Sequence, residues 1–256
     1  DTMDVKHMRC LGPCLVHVWN LEEYRDEIIR LWRKVNLFSP ARGLNRFRGL
    51  AKVLAEIHEN YVRVEGLSEY IYWVQTTREH SDESLEEAFE RTGSSCIRKA
   101  MEWSNLVNQS MAMISDKKKQ PFDGAREALE SIRSYVDVVV VTAANGAEIR
   151  KEWEAQSLIQ YTDLLVSQET GRKAECLKKL VQKGYEPGHV LMIGDSPADL
   201  KAAKEAGALF YPVLVYQERE SWEAFPEILK QFLKGTYSSE EEARQIQEFQ
   251  KNLGVQ

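Results

Sequence analysis

Only four cysteines, Cys10, Cys14, Cys96 and Cys176, occur in the 256 residues of this chain. Their separations match no zinc site, and they are too few for a disulfide framework at this length, so they read as packing residues in a reducing compartment. Long hydrophobic runs are missing as well: nothing is long enough to span a bilayer, and no basic stretch followed by an apolar one opens the chain. A soluble, cytoplasmic protein is expected. Positive charge is not in excess, since 34 Lys and Arg face 40 Asp and Glu and leave a formal net charge of -6. Polyanions meet no general attraction, so nucleic acid is not an expected partner and any phosphate chemistry needs a local site. What the chain does have is a 43% hydrophobic composition, enough to fill a sizeable interior and to exclude disorder.

The chain has two halves with different periodicity. From about residue 4 to 117 helical spacing dominates, in Tyr24, Ile28, Leu31, Trp32 and Val35, then in Phe47, Leu50, Leu54 and Ile57, then in Leu85, Ala88 and Phe89. Ser39-Pro40, Gly66 and Gly93-Ser94 punctuate this all-α half. After Pro121 short apolar strands alternate with helices. Strands are expected at Val136–Val141, Leu164–Val166, Val190–Ile193 and Ala208–Val215, with helices at Gly124–Tyr135, Ala147–Leu158, Lys173–Lys183 and Ala198–Ala206. That alternation predicts an α/β fold, a doubly wound parallel sheet with right-handed crossovers, whose ligands bind at the carboxyl ends of the strands. The tail from Ser238 to Leu253 predicts a charged helix opened by a capping box of Ser239 and Glu242, free to dock on the core or on another subunit.

Chemistry is therefore sought just after each strand. Val190 to Ile193 runs into Gly194-Asp195-Ser196-Pro197-Ala198-Asp199. Capping explains Ser196, Pro197 and an acid at position 199, but not a carboxylate at Asp195, at the mouth of a buried strand. Two acids this close repel by roughly 1 kcal/mol in water and about 4 at intermediate dielectric if ~4 Å apart. A divalent cation removes that cost, and oxygen ligands suit Mg²⁺, so Asp195 and, with equal weight for a capping role, Asp199 are candidate metal ligands. Thr142-Ala143-Ala144-Asn145 follows another strand. There Thr142 either ends the strand and Asn145 caps a helix with Glu148 three residues on, or the hydroxyl and the amides near Ala143 and Asn145 bind a phosphoryl oxygen. Lys173 opens a helix after the strand Leu164–Val166, where its charge opposes the helix dipole by roughly 0.3 to 1 kcal/mol without an anion nearby.

Thr142, Lys173 and Gly194-Asp195-Ser196-Pro197-Ala198-Asp199, the last followed by Ala206-Gly207, resemble in order the second, third and fourth motifs of the haloacid dehalogenase (HAD) superfamily. The likeness covers Pro121 to about Val215, and Pro121-Phe122-Asp123-Gly124 resembles the segment that re-enters the core after a cap. The resemblance implies a HAD core with an all-α cap at 4–117, a core at 118–236 and a helical tail at 237–256. It also implies a Mg²⁺-dependent phosphatase acting on a small phosphorylated metabolite through an aspartyl-phosphate. Thr142 and Lys173 would hold the phosphoryl group, and Asp195 and Asp199 would hold Mg²⁺. Metal-free dehalogenases of the same fold generally lack the acid after this glycine, so Asp195 argues for phosphoryl chemistry.

The first motif of that superfamily, of Asp-x-Asp-Gly-Thr type, does not occur in these residues. The best candidate strand in the first half, Cys14 to Trp19, carries His17 and Trp19 where the acids belong. Asp1-Thr2-Met3 and the following helix with Lys6 and His7 resemble the stretch just after the first motif, so the nucleophile is expected upstream of residue 1. Its strand would be missing from the middle of the sheet, leaving two neighbours unpaired. Arg42, Asn45 and Arg46 lie within one helical turn and either converge on a substrate or form a solvated helix face. Trp19, Trp32, Trp73, Trp103 and Trp153 are assigned to packing. The alternatives are a noncatalytic binding or regulatory protein on the same scaffold, or a phosphomutase or phosphonate hydrolase. A monomer or a homodimer is expected.

Overall fold

A computed structural model describes residues 2–115, 120–142, 144, 146–167 and 170–254. The chain divides into two compact units, Asp1–Lys118 and Lys119–Gln256.

The first unit is helical: α1 (Thr2–Lys6), a π-helical stretch (His7–Leu11), α2 (Gly12–Val18), α3 (Arg25–Leu37), α4 (Arg46–Asn60), α5 (Leu67–Thr76), α6 (Asp82–Thr92) and α7 (Ser95–Ala112). The stripes expected from spacing are its core. Ile28, Trp32, Phe47, Leu50, Leu54 and Leu85 are buried in one cluster with Trp73 and Trp103. Cys14 to Trp19, the nearest approach to a strand in this half, is helical up to Val18. Pro13 stands in the first turn, where its fixed φ suits a helix, and burial of Cys14, Leu15, Val16 and Val18 outweighs the strand preference of the valines. Indole N–H groups serve the entry segment: Trp103 Nε1 donates to the Leu11 backbone carbonyl at 3.0 Å, and Trp32 Nε1 to the His7 side-chain Nδ1 at 3.1 Å. All four cysteines are free and buried.

The second unit is α/β: α8 (Ala125–Ile132), β1 (Val139–Val141), α9 (Gly146–Ala155), β2 (Leu164–Val166), α10 (Lys173–Gln182), β3 (Leu191–Gly194), α11 (Pro197–Ala206), β4 (Leu209–Pro212), α12 (Glu218–Leu233) and α13 (Ser239–Asn252). Element type and order follow the alternation in the sequence, but the strands are shorter than the apolar runs. Val136 leaves the ladder because its N–H donates to the Ile132 carbonyl, closing α8, and Val138 keeps only its carbonyl in it, its N–H donating to the Asp163 carboxylate at 2.8 Å. Past β4, Leu214 N–H is taken by Ser221 Oγ and Val215 N–H by Asn252 Oδ1.

One continuous sheet is not what forms. Among the described residues β1 pairs in parallel with β2, and β3 with β4, as two separate pairs. Between the pairs runs an apolar groove of about 950 Å³, lined by both strands β1 and β3 and by Leu129, Ile132, Phe225 and Leu229. The expected doubly wound sheet is thus present only as its two halves. Strand pairing needs contiguous partners, and no third strand lies between β1 and β3 among the described residues.

The outer edge of β4 is closed by the tail. The amide of Phe210 donates to Glu242 Oε1 at 2.8 Å, and its carbonyl accepts from the Tyr237 hydroxyl at 3.0 Å. Asn252 pairs with both the N–H and the C=O of Val215. The helix is capped one residue earlier than expected, by Ser238 accepting from Glu241 N–H. Glu242 is not a capping acid here because its carboxylate serves the strand edge. The tail is part of the second unit and docks on its own core, with Phe249 buried against Phe210.

Candidate functional site

The turn after β3 is built around Asp199. Ser196 is the N-cap of α11 and forms a reciprocal box with it: the Ser196 amide and hydroxyl donate to Asp199 Oδ2 at 3.1 and 2.7 Å. The other carboxylate oxygen, Oδ1, accepts from Lys173 Nζ at 2.5 Å. Asp199 is almost fully enclosed, its side chain 4% exposed, while that of Lys173 is 23% exposed. The anion that the first-turn lysine of α10 requires is therefore supplied by the chain itself. Likewise, the cation beside Asp199 is the Lys173 ammonium, and both carboxylate oxygens of Asp199 are occupied by protein donors.

Gly194 has a steric task that its sequence context did not reveal. A Cβ at this position would lie 2.4 Å from Asp199 Cβ and 2.6 Å from its Cγ, so only glycine lets the carboxylate lie against the strand end. Gly207, at φ 71°, ends α11 in the left-handed conformation, as its position after Ala206 suggests.

Asp195 follows Gly194 directly, is partly exposed, and lines the groove between the strand pairs. Thr142 ends the facing strand. Its amide extends the ladder to the Val166 carbonyl at 2.9 Å, and its Oγ1 accepts the Ala144 amide at 3.1 Å, which leaves the hydroxyl proton available to donate. Ala143 and Asn145 lie outside the described residues, as does the side chain of Glu148. The structure thus joins Lys173 to Asp199 directly, and sets Asp195 on the same turn. Among the described residues no group of three or more His, Cys, Asp or Glu is disposed to hold a metal ion.

In the helical unit Arg42 and Arg46 are neither solvated nor free to sweep a surface. Arg42 is buried and donates to the Leu37 carbonyl at 3.4 Å. Arg46 pairs with Asp82 at 3.1 Å and donates to Asn108 Oδ1 and Ser104 Oγ at 2.6 and 2.7 Å. Asn45 caps α4, accepting from Phe47 N–H. The solvated-face expectation is corrected: Arg42 is buried, and the partners of Arg46 come from distant helices, which the local spacing could not reveal. No ligand is needed to account for their positions.

Among the described residues no helix is long and apolar enough to cross a membrane. No curated protein matches the chain. The family model for haloacid dehalogenase-like hydrolases, in contrast, matches residues 50–213, well over half of the sequence, and the chain belongs to that family of hydrolases.

Proposed function

We propose that this hydrolase acts on small phosphate esters with Mg²⁺, and that its helical unit is a cap that selects the substrate. The observation that carries the reading is the turn Gly194–Asp199: a carboxylate at the strand mouth, Asp195, on the same turn as the buried acid Asp199 that holds Lys173. Mg²⁺ is commonly held by one or two carboxylates together with phosphate oxygens and water, so a single Asp195 carboxylate fits it when the substrate supplies the rest. When bound, the ion would neutralise charge on the phosphoryl group.

The chain's own residues supply the remainder. Lys173 offsets the charge of the transferring group, and its ammonium is held in place by Asp199, which makes Asp199 a positioning residue. Thr142 donates its hydroxyl proton to a phosphoryl oxygen. None of these groups is placed as the nucleophile, so that role falls to an aspartate outside residues 1–256, which attacks phosphorus and displaces the alcohol of the ester to give an aspartyl-phosphate that water hydrolyses to aspartate and inorganic phosphate.

The test has two readouts. Calorimetry with Mg²⁺ should show that Asp195→Asn abolishes binding while Asp199→Asn weakens it only a few-fold. Turnover of a phosphate-ester panel should be at background for residues 1–256 and become Mg²⁺-dependent when a strand ending in Asp-x-Asp-Gly-Thr precedes residue 1. Unchanged Mg²⁺ affinity in Asp195→Asn would remove the metal role. Mg²⁺-dependent turnover by residues 1–256 alone would place the nucleophile within them.

A further inference from the structure

The segment that follows β4 stands at the same edge of the sheet as Asp195, because Gly194 and Pro212 are partners in the parallel register. Val213, Leu214 and Val215 are buried there, and each of their amides has a different acceptor. Val213 N–H donates to the Gly194 carbonyl at 2.9 Å, Leu214 N–H to Ser221 Oγ at 3.0 Å, and Val215 N–H to Asn252 Oδ1 at 3.0 Å. Asn252 Nδ2 also donates to the Val215 carbonyl at 3.2 Å. A carboxamide carries a donor and an acceptor side by side, so it pairs with both backbone groups of one residue as a neighbouring strand would. Without it both groups would lose these bonds inside a buried segment.

Asn252 reaches this place because α13 runs beside β4 in the same sense. From Glu242, which holds the Phe210 amide, to Asn252 the helix rises ~15 Å at ~1.5 Å per residue, and from Phe210 to Val215 an extended chain covers ~16 Å at ~3.3 Å per residue. The helix therefore puts its last turn at the carboxyl edge. The two side chains differ in what they can govern. Glu242 acts inside the strand, whereas Asn252 acts past its end, two residues from the amide that holds Gly194. Directly beyond Val215 the chain turns through Tyr216 at φ 58°, a left-handed conformation that a bulky residue keeps only where its surroundings fix it.

We infer that Asn252 is a positioning residue for Asp195: by fixing Val215 it fixes Val213, whose bond to the Gly194 carbonyl sets where the next residue's carboxylate stands. The inference rests on the reading of Asp195 as the Mg²⁺ ligand. It gives the C-terminal helix a task at the site besides covering the outer edge of β4.

Mg²⁺ calorimetry and amide exchange on the 256-residue protein compare Asn252→Ala with Glu242→Ala, which removes a bond from the same helix to β4. Both should lower the urea midpoint. Only Asn252→Ala should speed exchange of the Val213 amide relative to that of Tyr211 in mid-strand, by at least about tenfold, and weaken Mg²⁺ by about the same factor, while Glu242→Ala changes neither by more than about twofold. Asn252→Asp, which keeps the acceptor and loses the donor, should give an intermediate loss, and it carries the comparison if the alanine variant does not fold. Mg²⁺ affinity in Asn252→Ala equal to that in Glu242→Ala would overturn the inference and assign Asn252 to stability alone. Weakened affinity without faster Val213 exchange would overturn the route through Gly194. Asp195→Asn, run alongside, separates this failure from that of the metal reading. If it binds Mg²⁺ as the parent does, Asp195 is no ligand and the inference falls with that reading; if it loses the ion while Asn252→Ala keeps it, the reading stands and the inference alone is lost.

Discussion

Lys173 Nζ lies 2.5 Å from Asp199 Oδ1, across 26 residues of sequence, and this contact ties the start of α10 to the start of α11. Asp199 is nearly enclosed and Lys173 only partly so. Removing the acid leaves a half-buried ammonium unpaired and also breaks the cap on α11. Asp199→Ala is therefore expected to lower stability by about 3 kcal/mol in urea unfolding, and Lys173→Met by less, about 1 to 2, because it leaves the capping box intact. A loss below about 0.5 kcal/mol for Asp199→Ala would mean the pair contributes little.

Gly194→Ala places a methyl group 2.4 Å from Asp199 Cβ, far inside the van der Waals contact distance of two carbons. The strand end or α11 must shift, at a cost of about 1 to 3 kcal/mol. In the double variant Gly194→Ala with Asp199→Gly the clash is gone, so the two changes should be strongly non-additive in a double-mutant cycle. Additive losses would show that the close approach is not what requires glycine.

His7 makes the helical unit sensitive to acid. Burial, chiefly, and the nearby Arg42 lower its pKa from 6.5 to about 4, against an opposing pull from Asp4. Its Nδ1 also accepts from Trp32, which requires that nitrogen to be unprotonated. The unfolded chain binds this proton below pH 6.5 and the folded chain only near pH 4, so stability complete above 6.5 is lost as pH falls toward 4. The loss amounts to about 3 kcal/mol. Urea midpoints measured from pH 7.5 to 4 should fall less steeply in His7→Gln than in the parent, and parallel slopes would refute the assignment.

Glu242→Ala frees the Phe210 amide at the outer edge of β4. A charge-assisted bond is lost, so stability should drop by about 1 to 2 kcal/mol. The bared edge should also promote self-association, visible by light scattering on heating. Glu242→Gln, which keeps an acceptor oxygen, should recover most of the lost stability. No difference between the two variants would assign the effect to charge rather than to the hydrogen bond.

Much of this molecule follows from local pattern. The change from helical spacing to alternating strands and helices after Pro121 predicts both units' element types, because periodicities of 3.6 and 2 reflect which face each segment buries. The turn Gly194–Asp199 is readable for the same reason: an N-cap serine, a proline in the first helical turn and an acid three residues on are interactions within one turn of chain. Leu164–Val166 is a strand with the bounds its apolar run suggests.

What the tertiary structure alone decided are the partners of polar groups from distant segments. Arg46 meets Asp82 across 36 residues, Glu242 meets Phe210 across 32, and Asp199 meets Lys173 across 26. Spacing is silent on such pairs, since a charged side chain on a helix face looks the same in sequence whether it meets water or a buried carboxylate. The choice of partners within the sheet, β1 with β2 and β3 with β4, is of the same kind. Each strand's hydrophobicity states that it is to be buried, but not which neighbour takes up its edge, and that is settled by which backbone donors and acceptors three-dimensional folding brings within reach.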